Sequence, residues 1–345
     1  MRLKEVDYDI LSEIQLRADI SVKDLAERVG VPVHVAQYAL SRLRDRGIIA
    51  PFPFVNVYPL GLEQYGLFFS LSGGIELRRR SVTYLVDSPL VSWVLYLGGD
   101  LQYGIGVCAH SSGETMRFLT SLSERFGDVF YEKQLSVRTQ CTLFRRRYLS
   151  RRLHTQETLK YGDTGTQISI DSLDHLLLRV LTNMPASSNR DIGRFLGVSH
   201  TTVQNRIAGL RDQGVLPGMA TGIDSTKLGM YPYRLLLFFS KVSAGLRDEL
   251  FTFAAQNPNV FAVMECLGSW DFELKVEVDS PGSLTSLMDA VYERFGSIVR
   301  TIKVLSVLGT AKLAFYPLRD PPRTAIDTGE RLAMKLPANV RHAWD

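Results

Sequence analysis

The sequence predicts an α+β chain of 345 residues in which two three-helix units alternate with two mixed strand-and-helix units. Three observations predict it. The stretch Val6 to Ile49 recurs from Leu173 to Leu216: Gly30-Val31 and Gly197-Val198, Leu43-Arg44-Asp45 and Leu210-Arg211-Asp212, and Gly47 and Gly214 are each 167 residues apart. Inside both copies apolar residues recur at helical spacing, and downstream of both the rhythm changes to apolar runs and strict alternation. A period this long duplicates a whole domain pair, not a solenoid repeat.

The first copy opens with Ile10, Leu11 and Ile14 at helical spacing, with Asp7 or Asp9 able to cap the free N–H groups. Ser21 starts a second helix, with Val22, Leu25 and Val29 on one face and Gly30 placed to stop it. A third runs from about Pro32 to Arg46, where Ala36, Leu40 and Leu43 form the apolar stripe and Gly47 ends it. Three short helices with a tight Gly-Val turn are the helix-turn-helix pattern. Ile48 to Val57, interrupted by Pro51 and Pro53, reads as a small edge hairpin or wing.

The third helix of the second copy buries Val203, Ile207 and Leu210 and turns Ser199, His200, Thr201, Gln204, Asn205 and Arg206 outward or sideways. Gln and Asn can form paired hydrogen bonds to adenine, Arg can do so to guanine, and Ser or Thr can hold phosphates. The first copy offers Val33, His34, Gln37, Tyr38, Ser41 and Arg42, a weaker set for groove reading. Gln204, Asn205 and Arg206 have no evident structural duty.

Each helical unit is followed by a strand (Gly66 to Leu71; Tyr233 to Val242), a helix (Glu76 to Val86; Gly245 to Ala255) and a strand ending in a glycine-containing turn (Leu90 to Leu97; Val260 to Leu267). Phe272 to Val278 alternates throughout, the mark of a strand with one wet face. Its counterpart, Tyr103 to Ala109, places Gly104, Gly106 and Cys108 on the second side, where small residues signal either close approach of another backbone or a weaker strand. A helix (Gly113 to Phe126; Ser283 to Phe295) and a last strand (Val129 to Val137; Ile298 to Leu305) complete the ferredoxin-like βαββαβ order.

The predicted organisation is therefore a winged helix-turn-helix over 1–58, a ferredoxin-like domain over 59–148, a basic polar linker over 149–167, a second winged helix-turn-helix over 168–226, a second ferredoxin-like domain over 227–318 and a tail over 319–345. The linker reads as solvated and partly helical, and Arg145, Arg146, Arg147, Arg151 and Arg152 around it are either phosphate contacts or plain solvated surface. The tail, with Pro321, Pro322 and Pro337, reads as loosely packed or disordered. A net charge of +4 permits a nucleic-acid partner without demanding one. Cys108, Cys141 and Cys266 are scattered outside any CxxC spacing, so buried thiols in a reduced cytoplasmic protein are expected. Neither a signal peptide nor a membrane span is visible, and no metal-ligand spacing or cofactor motif is found.

A helix-turn-helix ending in LRDQGVL, followed by a ferredoxin-like unit bearing CLGSWDFELKVEV and closing on ERFGSIVRTIKVLSVLGTAKL, resembles the leucine-responsive (Lrp/AsnC) transcription regulators. The likeness runs twice along the chain, as in a tandem fusion, and the second half matches better. It implies promoter DNA bound through the third helix, two sheets paired across a two-fold axis, homo-oligomers of such pseudo-dimeric chains, and an amino acid or similar effector at the paired sheets. The family's effector segment corresponds to Gly268, Ser269, Trp270, Asp271 and Phe272, and in the first half to Gly99, Asp100, Leu101, Gln102 and Tyr103. Gln102 stands where Asp271 stands, so an effector site is expected in the second half or between unlike halves. Arg206 matches a basic position common in the family, and Ala39 occupies it in the first copy.

Siroheme decarboxylases use the same two-domain plan and are the rival reading. Among the six histidines (His34, His110, His154, His175, His200, His342), none lies in the glycine-turn segments where a tetrapyrrole site would draw ligands. A DNA-binding regulator without enzymatic activity is therefore expected. Trp270 and Phe272 also fit a plain core role, and Arg44 and Arg211 fit helix-end capping.

Overall fold

The computed structural model describes residues 3–149, 157–162, 164–314 and 316. In chain order it contains α1 (Glu5–Ile14), α2 (Val22–Val29), α3 (Val33–Asp45), β1 (Ile49–Phe54), β2 (Glu63–Leu71), α4 (Ile75–Asp87), β3 (Val91–Gly98), β4 (Tyr103–Ala109), α5 (Ser112–Phe126) and β5 (Phe130–Phe144). There follow β6 (Thr158–Gly162), α6 (Ser172–Asn183), α7 (Asn189–Leu196), α8 (His200–Asp212), β7 (Gly218–Ile223), β8 (Tyr231–Phe239), α9 (Ala244–Gln256), β9 (Val260–Gly268), β10 (Phe272–Val278), α10 (Pro281–Phe295) and β11 (Val299–Leu313). The predicted α+β plan is therefore present, with two helix-turn-helix units and two ferredoxin-like units. No described helix is long and apolar enough to cross a membrane.

Local chemistry explains the helix boundaries. The Ser21 side chain accepts from the Asp24 N–H, and Ser188 does the same for Asp191, each supplying an acceptor for a first-turn donor. Gly30 and Gly197 end these helices at φ values of 78° and 72°, a left-handed conformation that an L side chain resists. The capping of α1 differs from expectation: Asp7 sits inside the helix and accepts from the Lys4 N–H at 2.8 Å.

Two compact units form, and neither is one of the sequence repeats. Of the described residues, unit 1 takes 3–51, 138–149, 157–160 and 219–308, and unit 2 takes 52–137, 161–162, 164–218, 309–314 and 316. The first helix-turn-helix thus folds with the second ferredoxin-like sheet, and the second with the first. The strands β5 and β11 are longer than predicted, each beginning in one unit and ending in the other.

In unit 1, β10 pairs antiparallel with β8 and β9, and β8 also pairs with β11. The registers align Val304, Leu235, Leu274 and Val263 in one row, the floor of a core roofed by Leu246 and Leu250 of α9 and Leu287, Val291 and Phe295 of α10. The helix-turn-helix of this unit closes on Ile10, Leu25, Leu40 and Leu43, and Leu149 and Ile223 enter the same core. The expected wing hairpin is instead one strand: β1 pairs with β7, and the Asp224 N–H donates to the Ile48 carbonyl.

In unit 2, β4 lies between β2 and β3, aligning Leu67, Ile105 and Val94 under Leu85 of α4 and Phe118, Leu122 and Phe126 of α5. The core of α6, α7 and α8 gathers Leu177, Leu181, Ile192, Val203 and Leu210 with Val55, Val57, Cys108 and Tyr316. The small residues of β4 have a cause that neither expectation named. The Trp93 indole lies over Gly106, where a Cβ would come within 1.9 Å of Nε1, and Phe68 closes over Gly104. An aromatic side chain, not a backbone, requires the glycines.

The segment expected as a solvated linker contains strand β6, with Tyr161 buried against Phe54 at a ring separation of 4.9 Å. The tail 319–345 lies outside the described residues.

Candidate nucleic-acid interface and effector turns

Helix α8 is fixed by its N-cap and by its apolar side. Ser199 accepts from the Thr202 N–H at 3.0 Å, and Val203 and Leu210 are buried. His200, Thr201, Gln204 and Asn205 are exposed, as the groove-reading set requires. On α3, His34 and Gln37 are exposed beside two large apolar residues, Val33 and Tyr38, while Ser41 and Arg42 are half-buried.

The two arginines do not behave as predicted. Arg206 ion-pairs with Asp171 and lies 3.2 Å from Asp174, so the expectation that it has no structural duty is corrected. The hydrogen bond to Asp171 raises its pKa further. Burial acts to raise the Asp171 carboxyl, but Arg206 and the Asp174 N–H outweigh it and hold it low. Arg42 pairs with the buried Asp7 and lies over the Tyr38 ring at 5.3 Å. Asp7 and Asp174 are 167 residues apart, the repeat spacing, whereas Arg42 and Arg206 are 164 apart. Arginines at different points of the third helix thus reach the same acidic position on the first. Asp7 reads in sequence as a cap only, and Asp171 and Asp174 carry no sequence expectation; the acid repeated at Asp7 and Asp174 was the available signal for the arginine pairs.

The two glycine turns share one geometry. In unit 1 the Cys266 N–H donates to the Asp271 carbonyl at 2.8 Å and the Asp271 N–H to the Leu237 carbonyl at 3.0 Å. In unit 2, Leu97 donates to Gln102 and Gln102 to Phe69 at 2.8 and 3.1 Å. Gly268 and Gly99 hold φ values of 138° and 122°. Asp271 Oδ2 accepts from the Phe239 N–H at 2.7 Å, tying the turn to β8. Gln102 Oε1, its counterpart, is buried and without a hydrogen-bond partner among the described residues. Gly268, Ser269, Gly99 and Asp100 are exposed, and the Asp100 carbonyl accepts from Ser70 Oγ. Trp270 and Phe272 are core residues.

The side of β10 expected to be wet is largely covered, with only Lys275 partly exposed. Glu273 and Glu277 on that side of β10 are buried. Glu273 accepts from Arg138 Nη2 at 2.7 Å and also pairs with Arg234. Burial alone would raise this carboxyl, but Arg138 and Arg234 hold it down at about 2. Lys275 between the two acids is pushed down to about 7 by burial, then by Arg234.

The arginines considered for phosphate contact are also structural. Arg145 donates to the Ser12 carbonyl at 2.7 Å and to Glu157 at 2.6 Å; Arg146 pairs with Glu277; Arg147 donates to the Gln256 carbonyl at 2.7 Å. Arg151 and Arg152 lie outside the described residues. Tyr148 donates to Glu277 at 2.6 Å, and burial with that carboxylate drives its phenol far above the usual range. None of the three cysteines forms a disulfide: Cys108 and Cys141 are buried, and burial pushes the half-buried Cys266 thiol up. His110 Nδ1 lies 3.0 Å from the Gly61 carbonyl and His175 Nδ1 lies 2.5 Å from the Tyr316 hydroxyl. His154 and His342 lie outside the described residues. Among the described residues no group of three His, Cys, Asp or Glu side chains could hold a metal.

The winged helix-turn-helix DNA-binding family model matches residues 3–50, and the AsnC-type helix-turn-helix domain model matches 170–211. The HTH-type transcriptional regulator FL11 of Pyrococcus horikoshii is 28% identical over 126 residues, covering 36% of this chain and 82% of that protein. An uncharacterized HTH-type transcriptional regulator of Pyrococcus furiosus is 30% identical over 105 residues, covering 30% of this chain and 69% of its own length. The regulatory protein AsnC of Haemophilus influenzae is 26% identical over 141 residues, covering 40% and 92%. Among solved structures, the siroheme decarboxylase NirDL shares the fold at a TM-score of 0.56 and 12% identity, over 96% of this chain and 99% of that one.

Proposed function

The chain belongs to the Lrp/AsnC family of helix-turn-helix transcription regulators, and on that premise we propose that the exposed stripe of α8 reads specific double-stranded DNA under control of a small effector. One observation carries the DNA reading. Gln204 and Asn205 project from a capped helix whose other side is locked into the core by Val203 and Leu210. A rigid helix with amide side chains at its exposed middle suits the donor and acceptor pattern of adenine in the major groove.

The effector reading rests on the exposed backbone of Gly268 and Ser269 at the end of β9. A glycine N–H at positive φ suits a ligand carboxylate, so an amino acid or similar small anion is the class proposed. Asp271 keeps one carboxylate oxygen on the Phe239 N–H, which leaves the other for an ammonium. At the corresponding turn of unit 2, Gly99 and the exposed Asp100 offer the same pair of groups, with Gln102 behind them.

Binding-site selection from random duplexes, run with and without an amino-acid mixture, tests both parts. The expected result is one enriched sequence whose retention changes with the mixture. A second reading, a siroheme decarboxylase-like enzyme, is favoured by the shared fold along nearly the whole chain. A Soret-band shift on mixing with siroheme would select it over the regulator.

A further inference from the structure

We infer that DNA is read by the second helix-turn-helix alone, with Arg206 passing from Asp171 to a DNA phosphate, while the first helix-turn-helix is a scaffold whose arginine stays sealed against Asp7. The inference rests on the DNA-binding reading above and decides which of the two heads carries it.

Matching the heads position by position separates them. Gln37 and Gln204 correspond, but Asn205 is matched by Tyr38, His200 by Val33, and the N-cap Ser199 by Pro32. Tyr38 is 67% exposed and Val33 50%, so two positions that α8 fills with hydrogen-bonding groups carry large, mainly apolar side chains on α3, beside the exposed His34 and Gln37. Pro32 makes no side-chain cap, so α3 also lacks the hydroxyl that α8 carries at its entry. One helix earlier, Arg194 is matched by Glu27, and both are exposed. A carboxylate there repels the phosphate backbone that a guanidinium attracts.

The two arginine clamps differ in the same direction. The Arg42 side chain is 13% exposed and its partner Asp7 1%, whereas Arg206 is 33% exposed and its partners Asp171 and Asp174 are 52% and 14% exposed. Opening the buried pair would strand a charge away from water, while the exposed pair contributes little and can exchange partners. A phosphate approaching α8 can therefore take Arg206 from Asp171, and nothing comparable is available at Arg42. Asp171 is then a gate on the affinity of the second head.

The test uses the full chain and a duplex it selects from random DNA, with affinity measured across a salt series. Gln204→Ala/Asn205→Ala is expected to weaken specific binding more than tenfold, and Gln37→Ala/Tyr38→Ala to stay within about twofold. Arg206→Ala should lower the salt slope by about 0.9, the value for one phosphate contact. Asp171→Asn keeps an oxygen to accept the Asp174 N–H and removes one of the two carboxylates that compete for Arg206, so it should tighten binding severalfold. Thermal melts of each variant separate lost binding from lost folding. If the α3 pair costs as much as the α8 pair without lowering the melting temperature, or if Asp171→Asn leaves affinity unchanged or weaker, the inference is overturned and DNA binding stands. If the wild-type chain selects no duplex, the DNA-binding reading itself fails and this inference falls with it.

Discussion

Arg146 holds Glu277 through two nitrogens, Nε at 2.7 Å and Nη2 at 3.2 Å, while its own backbone N–H donates to Gln15 Oε1 at 2.7 Å. One residue thereby ties the sheet of unit 1 to the end of its first helix, and the Phe261 ring lies under the guanidinium at 4.2 Å. Removing it strands a buried carboxylate. Arg146→Ala is expected to destabilise unit 1 by about 3–5 kcal/mol in denaturant unfolding, and Arg146→Ala with Glu277→Gln by clearly less. Equal losses in the single and double variants would contradict the pairing.

Lys275 gives a pH signature. Burial, followed by Arg234, pushes its pKa down to about 7, so the folded protein gives up this proton more readily than the unfolded chain. Its burial therefore costs stability increasingly as pH falls through the ordinary lysine range to about 7, and the cost is constant below that. Lys275→Met should raise the melting temperature, and by more at about pH 6 than at about pH 9.5. The same gain at both values would refute the assignment.

Gly106 leaves no room for a side chain. A Cβ there would meet Trp93 Nε1 at 1.9 Å and Cε2 at 2.5 Å. Gly106→Ala is expected to cost about 1–3 kcal/mol or more and to change tryptophan fluorescence. Combining it with Trp93→Ala should cost less than the two effects added, and strict additivity would rule out the contact.

Asp271 separates turn stability from ligand binding. Loss of its hydrogen bond to the Phe239 N–H in Asp271→Ala is expected to cost about 1.5–3 kcal/mol. Asp271→Asn keeps an oxygen acceptor and should melt close to wild type while losing affinity for an amino acid held by its ammonium. Calorimetric titration with single amino acids distinguishes the two, and unchanged affinity in Asp271→Asn would remove the carboxylate from the proposed site.

The repeat, the element order and the exposed stripe of α8 were legible because each depends on local spacing. Which sheet a helix-turn-helix packs against was not, since the apolar stripes of α1–α3 and α6–α8 carry no record of their partner. Alternation along β10 marked a polar side correctly and its solvation wrongly. The charge matching Glu273 comes from Arg138, 135 residues away, and only the folded sheet brings them together. Long separations also hid the bond of Arg145 to the Ser12 carbonyl and the pairing of Arg146 with Glu277, 133 and 131 residues away, and both arginines read in sequence as either phosphate contacts or solvated surface. Asp7 and Asp174 were visible at the repeat spacing, but their pairing with third-helix arginines needed the packed unit.

Base readout by α8 is tested most directly by comparing wild type with Gln204→Ala on every single-base variant of the selected duplex. A flattening of preference by about 1–3 kcal/mol at one or two adjacent base pairs, with the rest of the profile intact, is the predicted result. A profile superimposable on that of wild type would contradict it.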